Sequence, residues 1–209
     1  VYLTKADPVH IEPYGLSVVT DFPAGDFSSS TVRASATIQN YAVTHKGAPV
    51  KFTLYDAEGR QIAADNSYIK DLGPRKSTIV AANLVVDKPH LWSPADPYLY
   101  TLETSVGDNI TKTRVGIRKI EFTHDNGMFI NGERFQIKGC DVHLDHAGVG
   151  TALPDALWRY RVETLAKYGF NTIRCSHNPA TPAMLDICDE LGFLVIDENR
   201  LMGTSDEQL

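Results

Sequence analysis

Apolar residues change their spacing partway along this chain. Up to about residue 120 they alternate with polar ones in short runs. From Pro154 onward they recur every three to four residues, with short apolar runs in between. Alternation suits a half-buried strand, and three-to-four spacing suits an amphipathic helix. The two patterns occupy separate stretches, so the chain should contain two architectures in series.

The first stretch reads as all-β. Strand-like runs fall at Leu16–Thr20, Thr31–Asn40, Val50–Asp56, Gln61–Ala64, Ser77–Val86, Leu99–Val106 and Thr111–Ile120. Turn residues separate them, as in Ala57-Glu58-Gly59-Arg60, where Gly59 can take the positive φ of a hairpin turn. Seven short antiparallel strands in roughly 100 residues predict an immunoglobulin-like β-sandwich over residues 1–120. No cysteine lies in this stretch, so packing alone must hold its sheets together. Asn109-Ile110-Thr111 spells a glycosylation sequon but reads as a strand edge.

The second stretch, residues 121–209, reads as α/β. Trp158, Val162 and Leu165 share a helical face that starts near Pro154 and stops at Gly169. Thr181-Pro182 opens a second helix, with Met184, Leu185, Cys188 and Leu191 on its apolar face and Gly192 at its end. Phe135–Cys140, Asn171–Cys175 and the continuous apolar run Phe193–Ile196 supply strands, giving the order β-α-β-α-β and a parallel sheet.

Composition narrows the function. A net charge of -6 and a pI near 5.6 argue against a general nucleic-acid binder. The apolar runs are far shorter than the roughly 20 residues of a membrane span. Cys140, Cys175 and Cys188 form neither a disulfide framework nor a zinc pattern, and fit a cytoplasmic chain as well as a periplasmic or secreted one. The chain opens on Val1 rather than Met, which reads as an excised piece or a mature form.

Polar residues gather where the three strands end: Asp141, His143, Asp145 and His146; then Arg174, Ser176 and His177; then Asp197, Glu198, Asn199 and Arg200. Polar loops and caps would account for one such cluster, but three at the same end of a parallel sheet point to a ligand. His143, Asp145, His146, His177 and Asp197 are metal-ligand types, yet their spacing is not diagnostic. A Ser176–His177–Asp197 triad is weaker, because neighbours on an extended segment point to opposite faces. No glycine-rich phosphate loop is present. Imidazoles, a guanidinium and carboxylates together suit a polyhydroxylated ligand such as a sugar.

Asn171-Thr172-Ile173-Arg174-Cys175-Ser176-His177-Asn178-Pro179, followed by Leu185-Asp186-Ile187-Cys188-Asp189-Glu190-Leu191-Gly192-Phe193-Leu194-Val195-Ile196-Asp197-Glu198, resembles the signature of family 2 glycoside hydrolases. That family comprises β-galactosidases, β-glucuronidases and β-mannosidases. Leu91-Trp92-Ser93-Pro94 with Pro97 through Leu102 resembles the late strands of its sandwich domain. Val115-Gly116-Ile117-Arg118 resembles the exit from that domain, and Phe129 through Glu133 with Lys138-Gly139-Cys140 the beginning of its (β/α)8 barrel.

The resemblance implies an immunoglobulin-like domain over 1–120 and the incomplete N-terminal part of a catalytic barrel over 121–209. In the family two glutamates at the ends of barrel strands four and seven perform a retaining hydrolysis. Neither falls in this chain, so the chain alone is expected to be inactive, with no catalytic residue of its own. The resemblance assigns substrate contacts to His143, Arg174, His177 and Asp197. It implies no cofactor and no metal, since the positions of a magnesium site in some β-galactosidases read Met202 and Thr204 here. The partner it implies is a β-linked sugar, without nucleic acid or membrane, and it is compatible with a homo-oligomer. The loop Asp145–Pro154 is most similar to β-galactosidases, which ranks a terminal β-galactoside first and a β-glucuronide second. A non-catalytic carbohydrate-binding or interaction module is the third reading. A reading frame running past Leu209 to an Asn-Glu pair separates an enzyme from a module.

Overall fold

The computed structural model describes Leu3 and residues 5–198. The chain divides into two compact units, one formed by Val1–Leu91 with Leu99–Lys119 and the other by Trp92–Tyr98 with Ile120–Leu209.

The first unit is a two-sheet β-sandwich. Its strands are β1 (Val9–Asp21), β2 (Ser29–Asn40), β3 (Lys46–Tyr55), β4 (Gln61–Leu72), β5 (Ser77–Asp87), β6 (Tyr100–Val106) and β7 (Asn109–Val115). One sheet has the order β1-β2-β5 and the other β4-β3-β6-β7, all antiparallel. Alternate residues of β2, β3 and β6 point inward, so Val32, Ile38, Val50, Phe52, Leu54 and Leu102 are almost fully buried. The seven runs expected from the sequence match seven strands, with different ends. β1 begins earlier and is broken between Ile11 and Leu16, where Tyr14 takes φ 59°. β4 runs on to Leu72 through a polar stretch because it is an edge strand with one face in water.

The hairpin after β3 is tied by Asp56. Its carboxylate accepts from the backbone N–H groups of Glu58 (3.1 Å) and Arg60 (2.8 Å), and from Nε of Arg60 at 2.7 Å. Burial opposes the charge of this carboxylate, but those donors outweigh it and hold its pKa below the ordinary value. Asn109 uses Nδ2 toward Asp7, Val9 and Val106, all within 3.3 Å, which is the strand-edge role.

The second unit opens with a small antiparallel sheet in the order β10-β9-β8, formed by β8 (Ile120–Thr123), β9 (Gly127–Ile130) and β10 (Glu133–Phe135). Asn131-Gly132 is the two-residue loop between β9 and β10, with φ 51° and 81°. Positive φ at both positions defines the hairpin turn that Asn-Gly favours. Phe135 therefore closes a hairpin. The first parallel strand is β11 (Gly139–Val142), not Phe135–Cys140.

The parallel sheet has the order β11-β12-β13, with β12 at Thr172–Cys175 and β13 at Leu194–Ile196. Helix α1 (Asp155–Lys167) and helix α2 (Pro182–Leu191) form the crossovers. Thr181 caps α2 by accepting from the Met184 N–H, and Pro182 occupies its first turn. The end of α1 is a Schellman turn: Gly169 at φ 82° donates to Ala166, and Phe170 to Leu165. Trp158, Val162, Ile173, Met184 and Cys188 form the core between helices and sheet. Leu185, expected inside, is exposed, and Ile187 is buried in its place. Positions 184, 187, 188 and 191 lie on one helical face, and 185 is a quarter-turn away. Nor is the third strand buried on both faces. Leu194 is buried, but Ile196 is 47% exposed because β13 is an edge strand among the described residues.

Residues 92–98, expected to begin the late sandwich strands, are irregular and belong to the second unit. Trp92 is fully buried, and its Nε1 donates to the Asp189 carbonyl at 2.8 Å. Gly192 ends α2 at φ 74°, and a Cβ there would lie 2.3 Å from the carbonyl oxygen of Pro94. Gly169 has a similar φ with nothing within 4 Å of its Cβ position. Both Gly→Ala changes should carry the left-handed penalty of about 1–2 kcal/mol, and Gly192→Ala a steric cost as well. Thermal unfolding should therefore rank Gly192→Ala clearly below Gly169→Ala. Equal losses would mean that Pro94 does not press on Gly192.

Candidate functional site

Parallel register brings the three strand ends level. Asp141 pairs with Arg174 across β11 and β12, and Arg174 pairs with Ile196 across β12 and β13. The residues just beyond these positions emerge side by side.

Arg174 stands at the centre. Its Nη1 lies 3.1 Å from Oδ2 of Asp141, and its Nη2 lies 2.5 Å from Oε2 of Glu198. Asp141 first, and Glu198 with it, hold the guanidinium's pKa above its ordinary value. The other carboxylate oxygen of Glu198 is 2.8 Å from Nδ1 of His177. The ring of His143 stands edge-on to that of His177, with 5.9 Å between centroids. Three of the four residues singled out in the sequence thus converge: Arg174 and His177 through Glu198, and His143 against His177.

Asp197 does something else. Its Oδ1 accepts from the N–H groups of Ala180 (2.8 Å) and Glu198 (3.1 Å), tying the end of β13 to the loop before α2. Its charge also bears on Cys175. Burial pushes that thiol up to about 11, and Asp197 adds to the shift. Glu198 is therefore the carboxylate that meets Arg174 and His177. Neighbours at a strand end face opposite ways, and the residue types alone do not say which one faces the site.

Arg161 carried no functional signal in the sequence. From α1 it donates to the carbonyls of His143 (3.0 Å) and Asp145 (2.6 Å), with its guanidinium 5.1 Å from the Trp158 ring centroid. It fixes the backbone of the loop that presents His143. The only hint was its place three residues after Trp158, on the inward side of the helix. His146 closes the same loop by pairing with Gly150, and its Nδ1 bonds the Ala147 carbonyl. Ser176 is buried, and its hydroxyl has no hydrogen-bond partner among the described residues. With His177 bonded to Glu198 and Asp197 to backbone, the described residues hold no Ser-His-Asp relay. Nor do they bring three His, Cys, Asp or Glu side chains together as a metal site. Asn199, Arg200, Met202 and Thr204 lie outside the described residues. A groove of about 770 Å³ lies elsewhere in this unit, beside Phe122, Met128, Phe135 and Ile137. It is largely apolar and lacks the imidazoles and carboxylates of the strand ends.

A β-sandwich is followed by three parallel strands that carry polar residues at their C-terminal ends. Two family models match: glycosyl hydrolases family 2 over residues 9–118, and the TIM barrel domain of glycosyl hydrolases family 2 over 120–208. The chain belongs to glycoside hydrolase family 2. It is 34% identical to a β-galactosidase of Bacteroides ovatus over 95% of its own length and 24% of that protein. It is 31% identical to a putative β-glucuronidase of Formosa agariphila, again over 95% of its length and 19% of that protein. Among solved structures, a family 2 member from Bacteroides cellulosilyticus superposes with a TM-score of 0.84 at 30% identity, covering 92% of this chain and 27% of the other. A family 2 β-glucuronidase superposes with a TM-score of 0.85 at 26% identity, covering 96% and 22%. The chain thus spans about a quarter or less of these relatives.

Cys175 and Cys188 should be inert, and Cys140 less so. Burial drives Cys175 to about 11 and Cys188 to about 12, whereas Cys140 is less covered and is raised by burial and then by Asp141. The thiolate is the reactive form. Native alkylation near pH 8, followed by mass spectrometry, should label Cys140 first and leave Cys175 and Cys188 intact until unfolding. Early labelling of Cys175 would contradict its burial.

Proposed function

We propose that this chain is part of a retaining exo-β-glycosidase that removes terminal β-galactosides. Residues 1–120 form its immunoglobulin-like domain, and 121–209 the N-terminal part of its catalytic barrel. The observation that carries this reading is the convergence of Arg174, His177 and His143 at the C-terminal end of a parallel sheet in a family 2 chain. Barrel enzymes assemble their active sites at that end. His143 and His177 would bond sugar hydroxyls, Arg174 would organise carboxylates, and Asp197 would support the site by holding the neighbouring loop.

A β-galactoside is favoured over a β-glucuronide by the similarity of the Asp145–Pro154 loop. The glucuronidase reading is retained because relatives of both names match at similar identity.

Nitrophenyl β-galactoside and β-glucuronide test the choice on the intact enzyme, and faster turnover of the glucuronide would reverse it. The 209-residue chain alone should release nitrophenol from neither, because the family's two catalytic glutamates have no counterpart in it. Turnover by the isolated chain, abolished by Glu198→Gln, would sink that expectation. In the intact enzyme Arg174→Ala should lower kcat/KM by roughly tenfold or more, since an ionic partner is left unpaired. His177→Ala should act mainly on kcat, because a hydroxyl contact that tightens in the transition state contributes there. Melting temperatures measured alongside separate site residues from loop struts: unchanged kcat/KM in a folded variant removes that residue from the site.

A further inference from the structure

His177 is about half exposed, but its Nδ1 is not free, because Oε1 of Glu198 lies 2.8 Å away. A carboxylate only accepts hydrogen bonds. The proton in that contact therefore sits on Nδ1; in the opposite tautomer two lone pairs would face each other at hydrogen-bonding distance. In the neutral ring, Nε2 is then the bare nitrogen, an acceptor.

Glu198 is itself held. Its Oε2 meets Arg174 at 2.5 Å, and Asp141 fixes that guanidinium from the other side at 3.1 Å. Its side chain is 24% exposed, and Oε2, shut off from solvent, meets no aligned hydrogen-bond donor among the described residues, so the ion pair with Arg174 is its main anchor. His143 stands edge-on to the imidazole, with 5.9 Å between ring centroids. A guanidinium thus places a carboxylate, and the carboxylate sets the tautomer and ring plane of a histidine.

We propose that Glu198 is a positioning residue that locks His177 as the Nδ1–H tautomer, so that Nε2 accepts a hydrogen bond from a sugar hydroxyl. The proposal rests on the strand ends being the sugar site, and it specifies the ligand chemistry at His177: a hydroxyl that donates, rather than a group that only accepts. A carboxylate behind a metal-bound histidine fixes its tautomer by the same hydrogen bond.

The test is a double-mutant cycle in the intact enzyme, with Glu198→Ala, His177→Ala and the pair. kcat and KM are read on whichever nitrophenyl glycoside the enzyme turns over, together with melting temperature. Glu198→Ala should cost roughly tenfold in kcat/KM when His177 is present and at least about fivefold less when His177 is alanine. Equal losses in both backgrounds overturn the proposal and leave the site reading standing. A folded His177→Ala variant with full kcat/KM instead overturns the site reading, and the proposal with it. Nitrogen-15 shifts of His177 in the labelled wild-type protein need no variant of Glu198, and are assigned by their loss in His177→Ala. A protonated Nδ1 with a bare Nε2 is expected, and a protonated Nε2 beside a bare Nδ1 overturns the assignment.

Discussion

The three strands that carry the candidate site are tied together at their opposite end by one residue, through its side chain and its backbone. Asn171 accepts from the Lys138 N–H through Oδ1 at 2.8 Å and donates through Nδ2 to the Gln136 carbonyl at 2.9 Å. Its backbone N–H donates to Lys138, and its carbonyl accepts from the N–H of Leu194. A single residue before β12 therefore reaches the chain leading into β11 and the start of β13. Strands of three or four residues have few ladder bonds to specify register, and a slip of one residue would turn every side chain to the other face. Such a slip would take Arg174 away from Asp141 and Glu198. The geometry at the top of the sheet depends on amide bonds at the bottom.

At the top, charge is arranged economically. One guanidinium serves two carboxylates, and one of those carboxylates also serves an imidazole. These groups are partly exposed, and exposed ion pairs contribute little to stability. Their value lies in orientation. Arg161 works in the same way on backbone, holding the carbonyls of His143 and Asp145 with a guanidinium set against Trp158. Polar groups supported by neighbouring partners on short, packed strands keep their geometry better than groups on free loops.

Sequence pattern located the seven sandwich strands, because alternation reports a face turned to a core. It located both helices and their caps, since Thr181-Pro182, Gly169 and Gly192 have local conformational requirements. It missed the hairpin at Asn131-Gly132, although that dipeptide is a strong turn signal, because the flanking strands of three and four residues are too short to show alternation. It put Leu185 inside and left Ile187 out, an error that a continuous helical face corrects. Arg174, His177 and His143 were legible as residue types at strand ends, whereas Arg161 looked like any charged helix residue.

What the sequence determined, then, was local: which residues form strands and helices, where they stop, and which chemical groups lie at the strand ends. Periodicity, caps and turns depend on neighbours a few residues apart. Which of Asp197 and Glu198 faces Arg174 was decided only by the tertiary structure, because it depends on how β13 leaves the sheet beside β12. Trp92–Tyr98 packs with the second unit because the indole of Trp92 finds the Asp189 carbonyl, 97 residues later in the chain. Contacts at such separation leave no periodic trace in sequence, since each is made by two residues whose neighbours obey other rules.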